Sequence, residues 1–320
     1  MRMTAKITRI DVVGVGLNAT DTIIRLPRFP ALDDKVELLT AEVHPGGQVA
    51  SALVACQRWG LAARYIGKVG DDEAGRLQRE NFAREGVEAQ LLEVRGKPSQ
   101  IAYILVDQPS GERSILWKRD PALELRSEEI RKEWITQARA LHVDGHDTAA
   151  ATTAARYAHQ AGVPVTADID NLYPGVEELL RNVDYLLASR DFPERLTGES
   201  DLRKSLPAIE KKFRCRLAGA TLGRGGVLAW DGVSFLYCPA YKVETVDTTG
   251  AGDIFHGGFL YALLQKWPLR RMLEFSCAAA ALNCTAMGAR GGIKSIGEIE
   301  ELMRGGARQE AVCDEGALNG

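Results

Sequence analysis

One segment brings small residues and carboxylates together: Val246-Asp247-Thr248-Thr249-Gly250-Ala251-Gly252-Asp253-Ile254-Phe255-His256-Gly257-Gly258-Phe259. A strand-like run, Tyr241 to Val246, leads into it. Apolar residues follow at Ile254, Phe255, Phe259, Leu260 and Leu263, which is helical spacing. A Gly-rich turn that opens a helix leaves backbone N–H groups unpaired and presents the positive end of the helix dipole. An anion fits there, and phosphate is the usual guest. Gly250 and Gly252 lack a Cβ, so the anion can come close to the backbone. Asp253 then has two readings. It can cap the helix, or it can take the proton of an acceptor hydroxyl while the neighbouring amides stabilise charge on a transferred phosphoryl group. No Gly-Lys-Ser/Thr follows, so the turn is not a Walker A loop.

Such a turn must be held by a larger frame, and the chain is long enough to build one. It has 320 residues, 45% hydrophobic and 26% charged, with a net charge of −3. Interspersed charges of both signs give no footprint for nucleic acid or an anionic membrane. The most apolar late stretch, Cys277 to Met287, is too short to span a bilayer. Six scattered cysteines form no C-x-x-C pair, and Met1 to Lys6 shows no signal-peptide core. A cytoplasmic protein is expected.

Strand-like and helix-like runs alternate along most of the chain. Ile10 to Val15, Tyr65-Ile66, Leu141 to Asp144, Val163 to Asp168 and Tyr185 to Leu187 read as short buried strands. Gln48 to Trp59, ended by Gly60, and Glu73 to Arg84, ended by Gly86, read as helices. This rhythm predicts an α/β protein with a parallel sheet covered on both faces. Two stretches break it. Thr22 to Val43 holds Pro27 and Pro30 and alternates apolar with polar residues. Ile101 to Val106 and Arg113 to Trp117 flank the turn Gln108-Pro109-Ser110-Gly111, a hairpin pattern. Together they predict a small second sheet, suited to be a lid.

The run Asp247 to Asp253 resembles the C-terminal signature of the ribokinase-like (PfkB) carbohydrate kinases. Gly46-Gly47-Gln48-Val49-Ala50-Ser51, with Gly60, Gly67, Val69-Gly70-Asp71-Asp72 and Gly75, resembles the family's N-terminal signature. The resemblance runs from about Ile10 to Ile293. It implies a three-layer α/β/α sandwich of ribokinase type with a small β-sheet lid. The kinase domain would span residues 1–304, with lid strands inserted at about 20–45 and 98–119, and residues 305–320 would form a flexible tail.

The resemblance also implies roles. Asp253 would be the catalytic base, and the amides of Gly250, Ala251 and Gly252 the anion hole. Asp21, Gly47, Gln48 and Ser51 would bind the sugar, and Arg113 in the lid would reach an anionic group on it. Thr221-Leu222-Gly223-Arg224-Gly225-Gly226 resembles the nucleotide loop, which assigns Thr221, Gly223 and Gly226 to ATP, with Gly288 near the adenine end. Asp247 and Thr249 match positions that bind a monovalent cation in some members, so potassium is a candidate beside ATP and Mg²⁺. The chain departs from the family in two places. Asn18 and Asp21 are three apart where many members have Asn-x-Asp. Ser189-Arg190-Asp191-Phe192 stands where many carry Asn-x-x-Glu, which leaves the metal ligands unassigned. Those departures, with Asn283-Cys284-Thr285 and Gly288, resemble ketohexokinase and sulfofructose kinase more than ribokinase. An ATP-dependent kinase of a ketose or sugar acid is expected.

Other readings compete. A nucleoside kinase would share the base and anion hole, with Phe29, Tyr103 or Trp117 in the lid to stack a purine. A non-catalytic sugar or nucleotide sensor would not need Asp253. A nicotinamide-dependent oxidoreductase can be drawn from Gly14-x-Gly16-x-x-Ala19, but that fingerprint needs a following helix, and Thr20 to Pro30 alternates like a strand. His256 reads as a packing or capping residue; His142 and His146 flank Asp144-Gly145 at a strand end, where a substrate contact ranks no higher than packing. An exposed lid edge suits pairing with a second copy, so a homodimer through the lid is expected.

Overall fold

The computed structural model describes residues 9–310. Strands are β1 (Val12–Val15), β2 (Ala19–Leu26), β3 (Thr40–Gly46), β4 (Ala63–Gly70), β5 (Glu88–Val94), β6 (Ile101–Asp107), β7 (Arg113–Lys118), β8 (Ala140–Asp144), β9 (Val165–Ile169), β10 (Tyr185–Ser189), β11 (Leu217–Thr221), β12 (Val227–Trp230) and β13 (Phe235–Cys238). Helices are α1 (Gln48–Arg58), α2 (Glu73–Glu85), α3 (Lys132–Thr136), α4 (Thr148–Gln160), α5 (Val176–Leu180), α6 (Phe192–Thr197), α7 (Leu202–Phe213), α8 (Ala251–Leu264), α9 (Leu269–Asn283) and α10 (Ile296–Gly305).

Nine strands form one sheet in the order β13-β12-β11-β10-β9-β8-β1-β4-β5. The strands from β11 to β5 run parallel; β12 and β13 are antiparallel at one edge. Every residue of β8 and β9 is buried, as expected of strands covered on both faces. Successive side chains enter opposite cores: Val13 and Leu186 pack with α4, α5 and α7, whereas Val12 and Leu187 pack on the side of α1, α8 and α9. The result is the three-layer sandwich. The antiparallel edge was not foreseen, although its signal is present: Asp231-Gly232, with Gly232 at φ 91°, closes the β12–β13 hairpin.

The run Tyr241 to Val246 is not a strand. Only Tyr241 bridges to a neighbour, Arg308, and Val246 N–H donates to the carbonyl of Cys284 at 2.8 Å. Pro239, with no N–H to offer, ends the edge strand and lets the chain leave the sheet toward the end of α9. The tail also differs at its start. Gly305 is the last residue of α10, Arg308 lies 3.5 Å above the Tyr241 ring, and Gln309 N–H bonds to Ala240. Residues 311–320 lie outside the described residues.

The second sheet has four strands in the order β3-β2-β6-β7. It rises from the carboxyl end of β1 and returns at Gly46 into α1. Ile23, Ala102, Ile104 and Val106 form its own small core, packed on Met287.

Candidate active site

The order of the main sheet reverses around β1, whose neighbours are β8 on one side and β4 on the other. Open α/β sheets bind ligands outside the strand ends at such a switch point. Here that place receives Asp144 from β8, Asp168 from β9, the starts of α1 and α8, and the lid. The lid face toward this crevice follows from register. Asp21 pairs with His44 and Ala102, and Ala102 pairs with Trp117; Val106 pairs with Arg113. Asp21, His44, Trp117 and Arg113 therefore share the inner face with the buried Ile23 and Ile104. Trp117 meets His146 edge-on at 6.4 Å, and Arg113 Nη1 donates to Thr248 Oγ1 at 2.5 Å. Tyr103 sits on the outer face, and Phe29 lies beyond the end of β2.

Gly250 caps α8 in the left-handed region at φ 74°. A Cβ there would fall 2.3 Å from the carbonyl of Ala289, so only glycine fits. Asp253 is the third residue of the helix and accepts no hydrogen bond among the described residues, so it does not cap α8. Burial, with Asp168 and Asp21 beside it, pushes its carboxyl up to about 8; Arg113 and Arg290 oppose that rise. The amides of Gly250 and Gly252 donate to no described group. Ala251 N–H, expected to be free, closes the turn onto Thr248 at 3.2 Å. Asp247, fully buried, braces the turn by accepting from Thr249 N–H and Gly288 N–H, both at 2.8 Å.

Asp21 stands over Gly46, where a Cβ would lie 1.9 Å from its carboxylate. Burial pushes it up to about 6, against the pull of Arg290. Gly47 caps the start of α1, and Gln48 Nε2 reaches Asp168 Oδ2 at 3.4 Å, with Gln48 Oε1 unpartnered. Burial alone would raise Asp168, yet His256 at 3.2 Å, helped by His142, holds it below the ordinary carboxylate range. Asp144 accepts from Leu17 and His146 amides. Ser51 does not face the crevice. It is wholly buried and accepts from Arg290 Nε at 3.1 Å, because α1 turns that face toward α2.

A cavity of about 660 Å³ adjoins α8. Thr221, Gly223 and Gly226 line one wall, the lid turn Gln108 to Gly111 another, and Ala251 and Gly252 the end nearest Asp253; Arg113 and Arg224 flank its mouth. Gly288 is not among its lining residues. It is buried between Asp247 and His44, because its amide is spent on the Asp247 brace. Asp168, Arg224 and Arg290 were not singled out from the sequence. Asp168 ends a strand next to the switch point, which was a usable signal; Arg290 lay in a Gly-rich run and gave none.

The site thus holds an acid in the first turn of α8, free amides beside it and a cavity lined by Ala251 and Gly252, on a ribokinase-type fold. The chain belongs to the pfkB family of carbohydrate kinases, whose family model matches residues 9–296. It is similar to ribokinase of Bacillus subtilis, 27% identical over 302 residues, covering 92% of this chain and 99% of the relative. An ATP-dependent ribose-1-phosphate kinase of Halopiger xanaduensis is 28% identical, with 88% and 94% covered. Fructokinase-2 of Solanum lycopersicum is 27% identical, with 82% and 88% covered. The Arabidopsis thaliana ribokinase structure with ribose and ATP superposes with a TM-score of 0.80 at 22% identity, covering 93% of this chain and all of that one. The chain is a carbohydrate kinase, and the oxidoreductase reading is set aside. In the fold, β2 stands where that reading needed a helix.

Proposed function

We propose that the protein transfers the γ-phosphoryl group of ATP to a hydroxyl of a ketose or sugar acid, with Asp253 as the base. The observation that carries this reading is the position of Asp253. It makes no helix cap, is half-buried beside unpaired amides, follows Ala251 and Gly252 at the end of the 660 Å³ cavity, and stands close enough to Asp21 to feel its charge. Asp253 takes the acceptor proton as the hydroxyl attacks. The amides of Gly250 and Gly252 and the α8 dipole meet the charge that develops on the transferred group. Asp21, Gly47 and Gln48 orient the sugar, Arg113 meets its anionic end, and Thr221, Gly223 and Gly226 hold the nucleotide. The lid keeps water away from the phosphoryl group.

The family brings Mg²⁺ with ATP. Among the described residues, no group of three or more His, Cys, Asp or Glu could hold a metal. Magnesium would therefore rest on phosphate oxygens and water. Potassium would sit near Thr249, whose hydroxyl is buried without a partner. Tyr103, Leu116 and Val43 expose apolar surface on the outer lid face, which suits a second copy in a homodimer. Five described cysteines are free, as in a reducing cytoplasm, and no described helix is long and apolar enough to cross a membrane.

A nucleoside kinase is the second reading. Trp117, on the inner lid face and 61% exposed, favours it, since a base could stack there. ADP release across ketoses, aldoses, sugar acids, sugar phosphates and nucleosides separates the two. Highest kcat/KM for a ketose or sugar acid supports the proposal; highest for a nucleoside overturns it. Elution as a monomer at all concentrations rejects the dimer.

A further inference from the structure

Arg290 is 5% exposed, and among the described residues its hydrogen-bond partners are all uncharged. Its Nε donates to Ser51 Oγ at 3.1 Å, its Nη2 to the Gly46 carbonyl at 2.8 Å, and its Nη1 to Asn81 Oδ1. The guanidinium lies over the Phe82 ring at 5.8 Å. Those partners belong to β3, α1 and α2, three elements that meet at the double glycine of the crevice. A buried cation is costly unless other charge compensates it, and its three acceptors are neutral. The compensating groups stand a little farther off: Asp21 and Asp253 first, then Glu85, while Arg58 adds repulsion. Around Asp253 the charges are Asp168 from β9, Asp21 from β2, Arg113 from β7 and Arg290 from the loop after α9. Arg113 is exposed on the lid, so Arg290 is the cation fixed in the body of the protein.

We propose that Arg290 is a positioning residue for phosphoryl transfer: it pins the Gly46–Gly47 turn and α1 to α2, and its charge is the permanent counterweight that lets Asp21 and Asp253 share one pocket. The arrangement explains why a guanidinium is used. Its planar fork serves several acceptors at once while keeping its charge, which an ammonium cannot do with the same geometry. The idea rests on Asp253 being the base.

The test compares the pH dependence of kcat/KM for Arg290→Gln, Arg290→Lys and Asp253→Asn with the parent enzyme. Arg290→Gln removes the charge and should move the inflection upward by about one pH unit, with activity recovered in part at high pH. Arg290→Lys keeps the charge and should leave the inflection in place while raising the KM of the acceptor. An unmoved inflection in Arg290→Gln, with only a lowered melting temperature, overturns the proposal. If Arg290→Gln does not fold, Asn81→Leu frees one arm of the fork with the charge kept. It should raise the acceptor KM severalfold at an unchanged inflection, and an unchanged KM overturns the proposal. Normal turnover in Asp253→Asn sinks the base assignment itself, whereas an inactive Asp253→Asn beside an unshifted Arg290→Gln sinks only the role of Arg290.

Discussion

Arg113 on β7 and Thr248, in the turn that opens α8, are 135 residues apart in sequence and joined by a 2.5 Å hydrogen bond. The bond ties the free edge strand of the lid to the segment that opens α8. Arg113→Ala should lower kcat/KM for the acceptor about tenfold, a loss on the order of a charge-assisted hydrogen bond. Steady-state kinetics with nucleotide held saturating would show it. Equal kinetics in the variant would mean that the contact carries no function.

Activity should depend on the ionised form of Asp253. Burial and two neighbouring carboxylates put its carboxyl near 8, so log kcat/KM should rise with pH and level off near that value. Asp21→Asn removes one of those negative charges. It should move the inflection to lower pH, even though acceptor binding suffers. An inflection near 4 in the parent enzyme would show that solvent reaches the carboxylate freely.

Asp253→Asn should lower kcat by roughly 10²–10⁴ while nucleotide affinity stays within a few-fold. It should also stabilise the fold at alkaline pH. The folded state keeps the Asp253 proton up to about 8, whereas the unfolded chain loses it near the ordinary carboxyl value of 3.8. Between those values the folded state holds more protons, so stability falls as pH rises. The variant lacks that slope. Melting curves of both proteins at pH 5 and pH 8 should diverge at pH 8, and parallel curves would contradict the upward shift that burial gives this carboxyl.

The frame and the Gly-rich turn that opens α8 could be read in the sequence because they follow local rules. Buried strands declare themselves as short apolar runs, and Gly250 to Asp253 is a contiguous signal. Asp253 could not be separated from a cap on sequence alone; that took the position of Gly250 and the missing hydrogen bond. Ser51 carried a polar side chain at the right place in the signature, yet its rotation about α1 points it at Arg290. Gly288 was placed near the adenine end by the family resemblance, but its amide belongs to Asp247. Both depend on partners more than forty residues away, which no local pattern encodes. Tyr241 to Val246 has strand composition, and Pro239 just ahead of it was the overlooked stop.

The glycines of the turn separate structure from function. Gly250→Ala meets the Ala289 backbone and a left-handed φ of 74°. It should lose activity together with roughly 1–3 kcal/mol of stability. Gly252→Ala would meet no atom within 4 Å beyond its own stretch of helix and lies inside α8. An alanine there should leave the melting temperature unchanged or raise it slightly, by up to about 1 kcal/mol of helix preference. Its methyl nevertheless stands beside the unpaired amide that the phosphoryl group would approach. Its kcat should therefore fall at least about tenfold while its stability holds, if approach to that amide is worth a hydrogen bond to charge. Wild-type kinetics in Gly252→Ala would mean that the anion lies elsewhere than the mouth of α8.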